Sequence, residues 1–183
     1  DKRALGLTAL GMATHRPVPS RAGAQLGDIL YVTGTLGDAL AGFELMEAGF
    51  DEVGPLADAF NRPVALVSDG QALAPFVTAM MDVSDGLLLD SERMAAASQV
   101  GIEIDLACVP LSPLYISCRT DSLESRLQAA SWGDDYQLLF TARPDVTVPV
   151  QATAIGCVLS GGGLTLKEGA NPVKLPPMLG YQH

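Results

Sequence analysis

The chain has 183 residues, 48% of them hydrophobic and 17% charged, with 11 Lys+Arg against 21 Asp+Glu for a formal charge of −10. The apolar fraction excludes a disordered polymer, and the length is enough for one real core. The negative balance repels phosphate backbones and so excludes general nucleic-acid binding, whereas carboxylates are what a hard cation such as Mg²⁺ takes as ligands.

Residues 5–11 read as a strand ending in a turn, so the chain enters regular structure almost at once. Residues 12–25 are irregular, broken by Pro17, Pro19, Ser20 and Gly23. Residues 29–33 form a β-branched and aromatic strand. Gly34-Thr35-Leu36-Gly37-Asp38 resembles a phosphate loop but lacks the Lys-Ser/Thr of a Walker A motif. Its glycines read instead as letting the turn pack tightly on the helix predicted over 39–46. A short helix follows Pro55, and Arg62-Pro63 and Ser68-Asp69-Gly70 are breakers. A buried strand is predicted over 75–81. Asp82-Val83-Ser84-Asp85-Gly86 ends it, and a helix runs to about Val100 with Leu87, Asp90/Ser91, Met94, Ala95 and Ser98 on one face. Residues 102–106 alternate as a strand, 123–130 form a second good helix, and 136–141 and 152–158 are strands. Gly161-Gly162-Gly163 reads as a flexible hairpin link to a strand over 164–166, and the end from Asn171 as a Pro-rich tail. This interleaving predicts an α/β (α+β-like) domain, a mixed β-sheet layered with helices.

The longest nearly apolar stretch, 72–81, is interrupted by Pro75 and Thr78 and falls short of the roughly 18–20 residues of a membrane span. The first residues lead into no signal-peptide core. Cys108, Cys118 and Cys157 include no Cys-x-x-Cys pair, so no zinc site is expected. They read as reduced, mostly packed thiols of a cytoplasmic protein.

Three segments could carry chemistry. In Asp82-Val83-Ser84-Asp85-Gly86, two carboxylates three apart sit at a strand-to-helix junction, where α/β proteins hold ligands. Mg²⁺ takes one or two carboxylates plus substrate phosphates, and Ser84 with the first helical amides can bond a phosphate. The same spacing also suits a plain turn, with Ser84 or Asp85 capping the helix and Asp82 solvated. In Gly133-Asp134-Asp135-Tyr136, paired acids could bind a metal or a cationic or hydroxyl-bearing substrate, or simply start a strand. Arg21 is a loop arginine beside glycine, which could grip a phosphate in fork geometry or stand in solvent. His15 and His183 are the two histidines, so a histidine-based triad is excluded.

Taken in order, 21–39, 79–87, Gly101-Ile102-Glu103-Ile104-Asp105-Leu106 with Pro110-Leu111-Ser112, 133–141 and Gly180-Tyr181-Gln182-His183 resemble bacterial thiamine-monophosphate kinase. That family shares a superfamily with aminoimidazole ribonucleotide synthetase, selenophosphate synthetase and a hydrogenase-maturation protein. The resemblance implies an ATP- and Mg²⁺-dependent kinase that makes thiamine diphosphate from thiamine monophosphate. It implies Mg²⁺ ligands at Asp82 and Asp85, ATP contacts at Ser84 and Arg21, and substrate contacts at Asp134 and Tyr181. Where the family reads Gly-Gly-Glu-Asp-Tyr-Glu, this chain has Trp132-Gly133-Asp134-Asp135-Tyr136-Gln137, so the first acid is one methylene shorter.

The resemblance further implies that 1–25 are the end of an N-terminal domain with its connector and that 26–183 are the C-terminal domain. Roughly the first 40% of the family's length would lie before Asp1, judged from a domain of typical size. That missing domain would bring further metal-binding aspartates and the homodimer interface. The chain alone is then expected to be inactive and to expose an apolar docking face. Two other readings stand beside this one: half of another synthetase of the superfamily, and a non-catalytic binding module.

Overall fold

A computed structural model describes residues 6–8, 10–50 and 54–181. Seven strands and six helices follow in this order: β1 Ile29–Thr33, α1 Asp38–Glu47, α2 Pro55–Asn61, α3 Val67–Leu73, β2 Ala79–Asp82, α4 Leu87–Ser98 and β3 Gly101–Asp105. After a 3₁₀ turn, Leu106–Cys108, come α5 Pro113–Cys118, α6 Leu123–Ser131, β4 Leu138–Ala142, β5 Ala152–Leu159, β6 Gly163–Glu168 and β7 Asn171–Val173. The strands form one mixed sheet in the order β2-β4-β1-β5-β3-β6-β7. The β3–β6 pair is parallel and the others are antiparallel. The predicted class, a mixed sheet layered with helices, is what the chain forms.

Side-chain alternation explains the layering. Leu30 and Val32 of β1 are fully buried on one face, while Tyr31 on the other stacks on Phe140 of β4 at 5.2 Å between ring centres. Helix α4 presses Leu87, Leu88, Met94 and Ala95 into the same core as Ile102, Ile104, Leu139 and Ile155. Gly37 before α1 has φ +92°, and a Cβ there would meet the Tyr115 ring at 2.8 Å. The glycine-rich turn therefore serves packing, as its sequence suggested.

The structure corrects several expectations. In the segment expected to be a strand over 5–11, residues 5 and 9 lie outside the described residues, and the others form none. Leu7 and Leu10 are each 95% exposed, and a strand without a neighbour has nothing to hold it. Ser68-Asp69-Gly70 does not break the chain but lies inside α3, where Gly70 N–H bonds the Leu66 carbonyl and Leu73 is buried. Pro75 and Phe76 belong to the turn that ends α3, so β2 starts only at Ala79. Gly161-Gly162 is not a hairpin: β3 lies between β5 and β6, with Gly101 opposite both Leu159 and Gly163. The supposed tail pairs as β7, Val173 opposite Leu166. Cys108 and Cys118 are exposed and Cys157 is half-buried, so the thiols are unpaired but not mostly packed.

One end of the sheet positions the site. Turn 82–86 leaves β2 and turn 133–137 enters β4, and the two lie side by side. Val83 N–H donates to the Gln137 carbonyl (2.8 Å), Tyr136 N–H to Val83 (2.9 Å) and Asp134 N–H to Ser84 (2.9 Å).

Candidate active site

A cavity of about 630 Å³ opens where these two turns meet the carboxy-terminal segment. Its walls are largely aromatic: Phe43, Phe60, Trp132, Tyr136 and Tyr181, with Met178. Phe43 holds the group together, 5.2 Å from Trp132 and 5.5 Å from Phe60 between ring centres. Polar groups enter from Ser84, Asp85 and Asp134. The backbones can converge this closely because two positions carry no Cβ. One at Gly133 would lie 2.4 Å from the Ser84 carbonyl oxygen, and one at Gly180 would lie 2.2 Å from that of Asp85. Tyr181 N–H then donates to the Asp85 carbonyl at 2.9 Å, which fastens the carboxy-terminal segment to the turn.

The structure gathers Ser84, Asp85, Asp134 and Tyr181 around this cavity. Asp82 lies next to them, exposed at the end of β2 opposite Leu138. Burial pushes the Tyr136 phenol up, and Asp134, Asp82 and Asp85 push it further. The phenol therefore keeps its proton and donates to Asp134 Oδ1 at 3.3 Å. Arg21 does not line the cavity. It sits exposed in the loop before β1, where its carbonyl accepts from Ser98 Oγ at 2.9 Å.

Neither Ser84 nor Asp85 caps α4. Gly86 is the N-cap position, and Asp90 from inside the helix reaches back. One Asp90 oxygen accepts both the Ser84 and Asp85 N–H groups at 3.0 Å, and the other accepts from Arg93 at 2.9 Å. Arg93 also pairs with Asp85. Burial raises the Asp90 carboxyl above its usual range, against the pull of the two amides and Arg93. The hydrogen bond to Asp85 holds the Arg93 guanidinium up. Sequence reasoning placed Asp90 on the helix face but gave it no role. A carboxylate on an apolar stripe was the signal.

The two acids of the second turn are not a pair. Asp134 faces the cavity, while Asp135 accepts from the Gly37 N–H at 3.1 and 3.2 Å and from the Ala39 N–H, at the start of α1. Burial pushes the Asp135 carboxyl up to about 8. Among the described residues, no three His, Cys, Asp or Glu side chains gather closely enough to hold a metal ion. A Mg²⁺ ion that keeps water and phosphate ligands needs only one or two carboxylates. Asp82 fits that demand as it stands, and Asp85 fits it by exchanging Arg93 for the ion.

Residues 25–148 match the family model described as AIR synthase related protein, C-terminal domain. The chain belongs to this family. Among the curated relatives of this AIR synthase related chain is a thiamine-monophosphate kinase of Caulobacter vibrioides, 32% identical over 193 residues, covering 96% of the chain and 53% of the relative. Another, from Aquifex aeolicus, is 38% identical over 166 residues, covering 87% of the chain and 54% of the relative. A solved structure described as AaThiL complexed with AMPPCP and TMP is 33% identical with a TM-score of 0.76, covering 90% of this chain and 54% of that one. The chain thus spans about half the length of the curated relatives it matches.

Proposed function

We propose that this chain is the C-terminal part of a thiamine-monophosphate kinase, with residues 1–25 as the end of the N-terminal domain and its connector and 26–183 as the C-terminal domain. The whole protein would carry a phosphoryl group from ATP to thiamine monophosphate in the cytoplasm, as a homodimer whose N-terminal domains complete the metal site. The observation that carries this reading is one cavity that unites Ser84, Asp85, Asp134 and Tyr181 within aromatic walls. A flat cationic ring suits such walls with a carboxylate at their edge. Among the described residues, no helix is long and apolar enough to cross a membrane. Exposed Leu7, Leu10, Met12 and Val18 offer apolar surface to a neighbouring domain.

Phosphoryl transfer asks a protein mainly for position and charge neutralisation. Asp134 and Tyr181 would hold the acceptor, Ser84 and Arg21 the ATP phosphates, and Asp82 and Asp85 the Mg²⁺. The ion, when bound, neutralises phosphate charge. The acceptor is already an anionic phosphate oxygen, so no strong base is required.

Thiamine diphosphate formation by the whole protein tests the reading. Asp82→Asn and Asp134→Ala should each lower turnover by about 100-fold or more, and the 183-residue chain alone should produce none. Unchanged turnover in both variants, or robust synthesis by the chain alone, would overturn it.

A further inference from the structure

We propose that Asp135 is a positioning residue: seated on the start of α1, it holds turn 133–136 in the shape that aims Asp134 and Tyr136 into the aromatic cavity. The turn is strained. Asp134 has φ +66° and Tyr136 φ +48°, a left-handed backbone that non-glycine residues avoid. Two such residues flanking a third keep that shape only if the turn is held from both sides. On one side, the Asp134 and Tyr136 N–H groups bond the Ser84 and Val83 carbonyls. On the other, Asp135 is the anchor, accepting from Gly37 and Ala39.

The anchor point is itself rigid. Gly37 is packed against Tyr115, and Asp38 beside it accepts from Thr35 at 3.1 Å and from Ser112. The turn is also a partition. Asp134 and Tyr136 line the large cavity, while Asp135 lines a second cavity of about 290 Å³ on the α1–α2 side. A shift of Asp135 out of its seat would therefore move the wall of the large cavity.

Asp135 faces Asp38 from α1, Asp134 from its own turn, Tyr115 from α5, and, across the smaller cavity, Asp58 of α2 and Arg62 just beyond that helix. Burial and the neighbouring acids keep it protonated at neutral pH, and ionisation near 8 would place an anion beside Asp38 and Asp134. The seat should then loosen as the pH rises past that point.

The functional weight of this role rests on the large cavity being the substrate site, but its test needs no ligand. Trp132 is the single tryptophan of the chain and adjoins the turn. Its emission, followed in the 183-residue chain from neutral to alkaline pH, should change with a midpoint near 8. Asp135→Asn, whose amide oxygen can still accept from Gly37, should keep the neutral-pH emission and abolish the transition. Asp135→Ala should give the loosened emission at every pH, with unchanged far-ultraviolet circular dichroism. If Asp135→Ala does not fold, the Asn titration decides alone. A transition that persists in Asp135→Asn, or an alanine variant that emits as wild type does, would overturn the proposal. In the whole protein, Asp135→Ala should raise KM for thiamine monophosphate by about 10-fold with kcat less affected, and Asp135→Asn should restore it. A wild-type protein that binds no thiamine monophosphate would refute the substrate reading and leave the emission test intact.

Discussion

In the 82–86 turn, Asp85 faces a guanidinium, and Asp90 behind it satisfies two backbone amides and the same Arg93. In the 133–136 turn, Asp135 satisfies backbone amides too, but the charged groups acting most strongly on it are the carboxyls Asp38 and Asp134. Burial works against ionisation in both places. At Asp90 a cation offsets part of it. At Asp135 nothing comparable does, and the carboxyl rises to about 8. Backbone donors at a helix start can seat a carboxyl, yet they do not by themselves keep a buried one ionised.

The largest test of this contrast is pH. Asp135 has an ordinary value of 3.8 and a folded value near 8, so the folded chain binds more protons than the unfolded chain between them. Stability contributed by this group is full below pH 4 and is lost as pH rises through 8, by several kcal/mol in total. Urea midpoints measured across that window should fall in wild type and fall much less in Asp135→Asn. Next comes Asp90→Ala, which strands the Ser84 and Asp85 amides and leaves Arg93 with Asp85 alone. It should cost about 3 kcal/mol at neutral pH in the same assay, and a loss under about 1 kcal/mol would show that the first turn does not depend on its ion pair. Gly180→Ala forces a Cβ against the Asp85 carbonyl and should cost about 2 kcal/mol. Its release of Tyr181 would show as faster amide exchange at that residue. The smallest effect is expected for Tyr136→Phe, which removes one long bond to Asp134. About 0.5 kcal/mol is anticipated from thermal unfolding.

Much of the fold was legible because its pattern is local. The β-branched run 29–33, the apolar stripe of 87–98 and the alternation at 102–106 each declare their element. Helix α3 was hidden because Gly70 and Asp69 have weak helical preference, and burial of Leu73 overrides it. Helix α5 does carry a local signal, since Ser112 caps it and Pro113 is its first residue. The placement of β3 between β5 and β6 has no local signature at all. At the site, the motif segments named Ser84, Asp85, Asp134 and Tyr181, and these do converge. Phe43 and Phe60 were invisible because they come from helices distant in sequence. The division of labour between Asp134 and Asp135 depends on backbone angles that no spacing rule supplies.

The strand order also carries a consequence for how the chain is made. Strands β1, β2 and β3 never pair with one another; their partners are β4, β5 and β6. A ribosome that has released this chain up to residue 130 has therefore delivered three strands whose partners have not yet been made. Ile102 and Ile104, sealed in the finished molecule, must wait for residues beyond 150 to cover both of their edges. Folding dominated by such distant pairings is slow. Until its last third emerges, the nascent chain carries unpaired strand edges of the kind that favour aggregation.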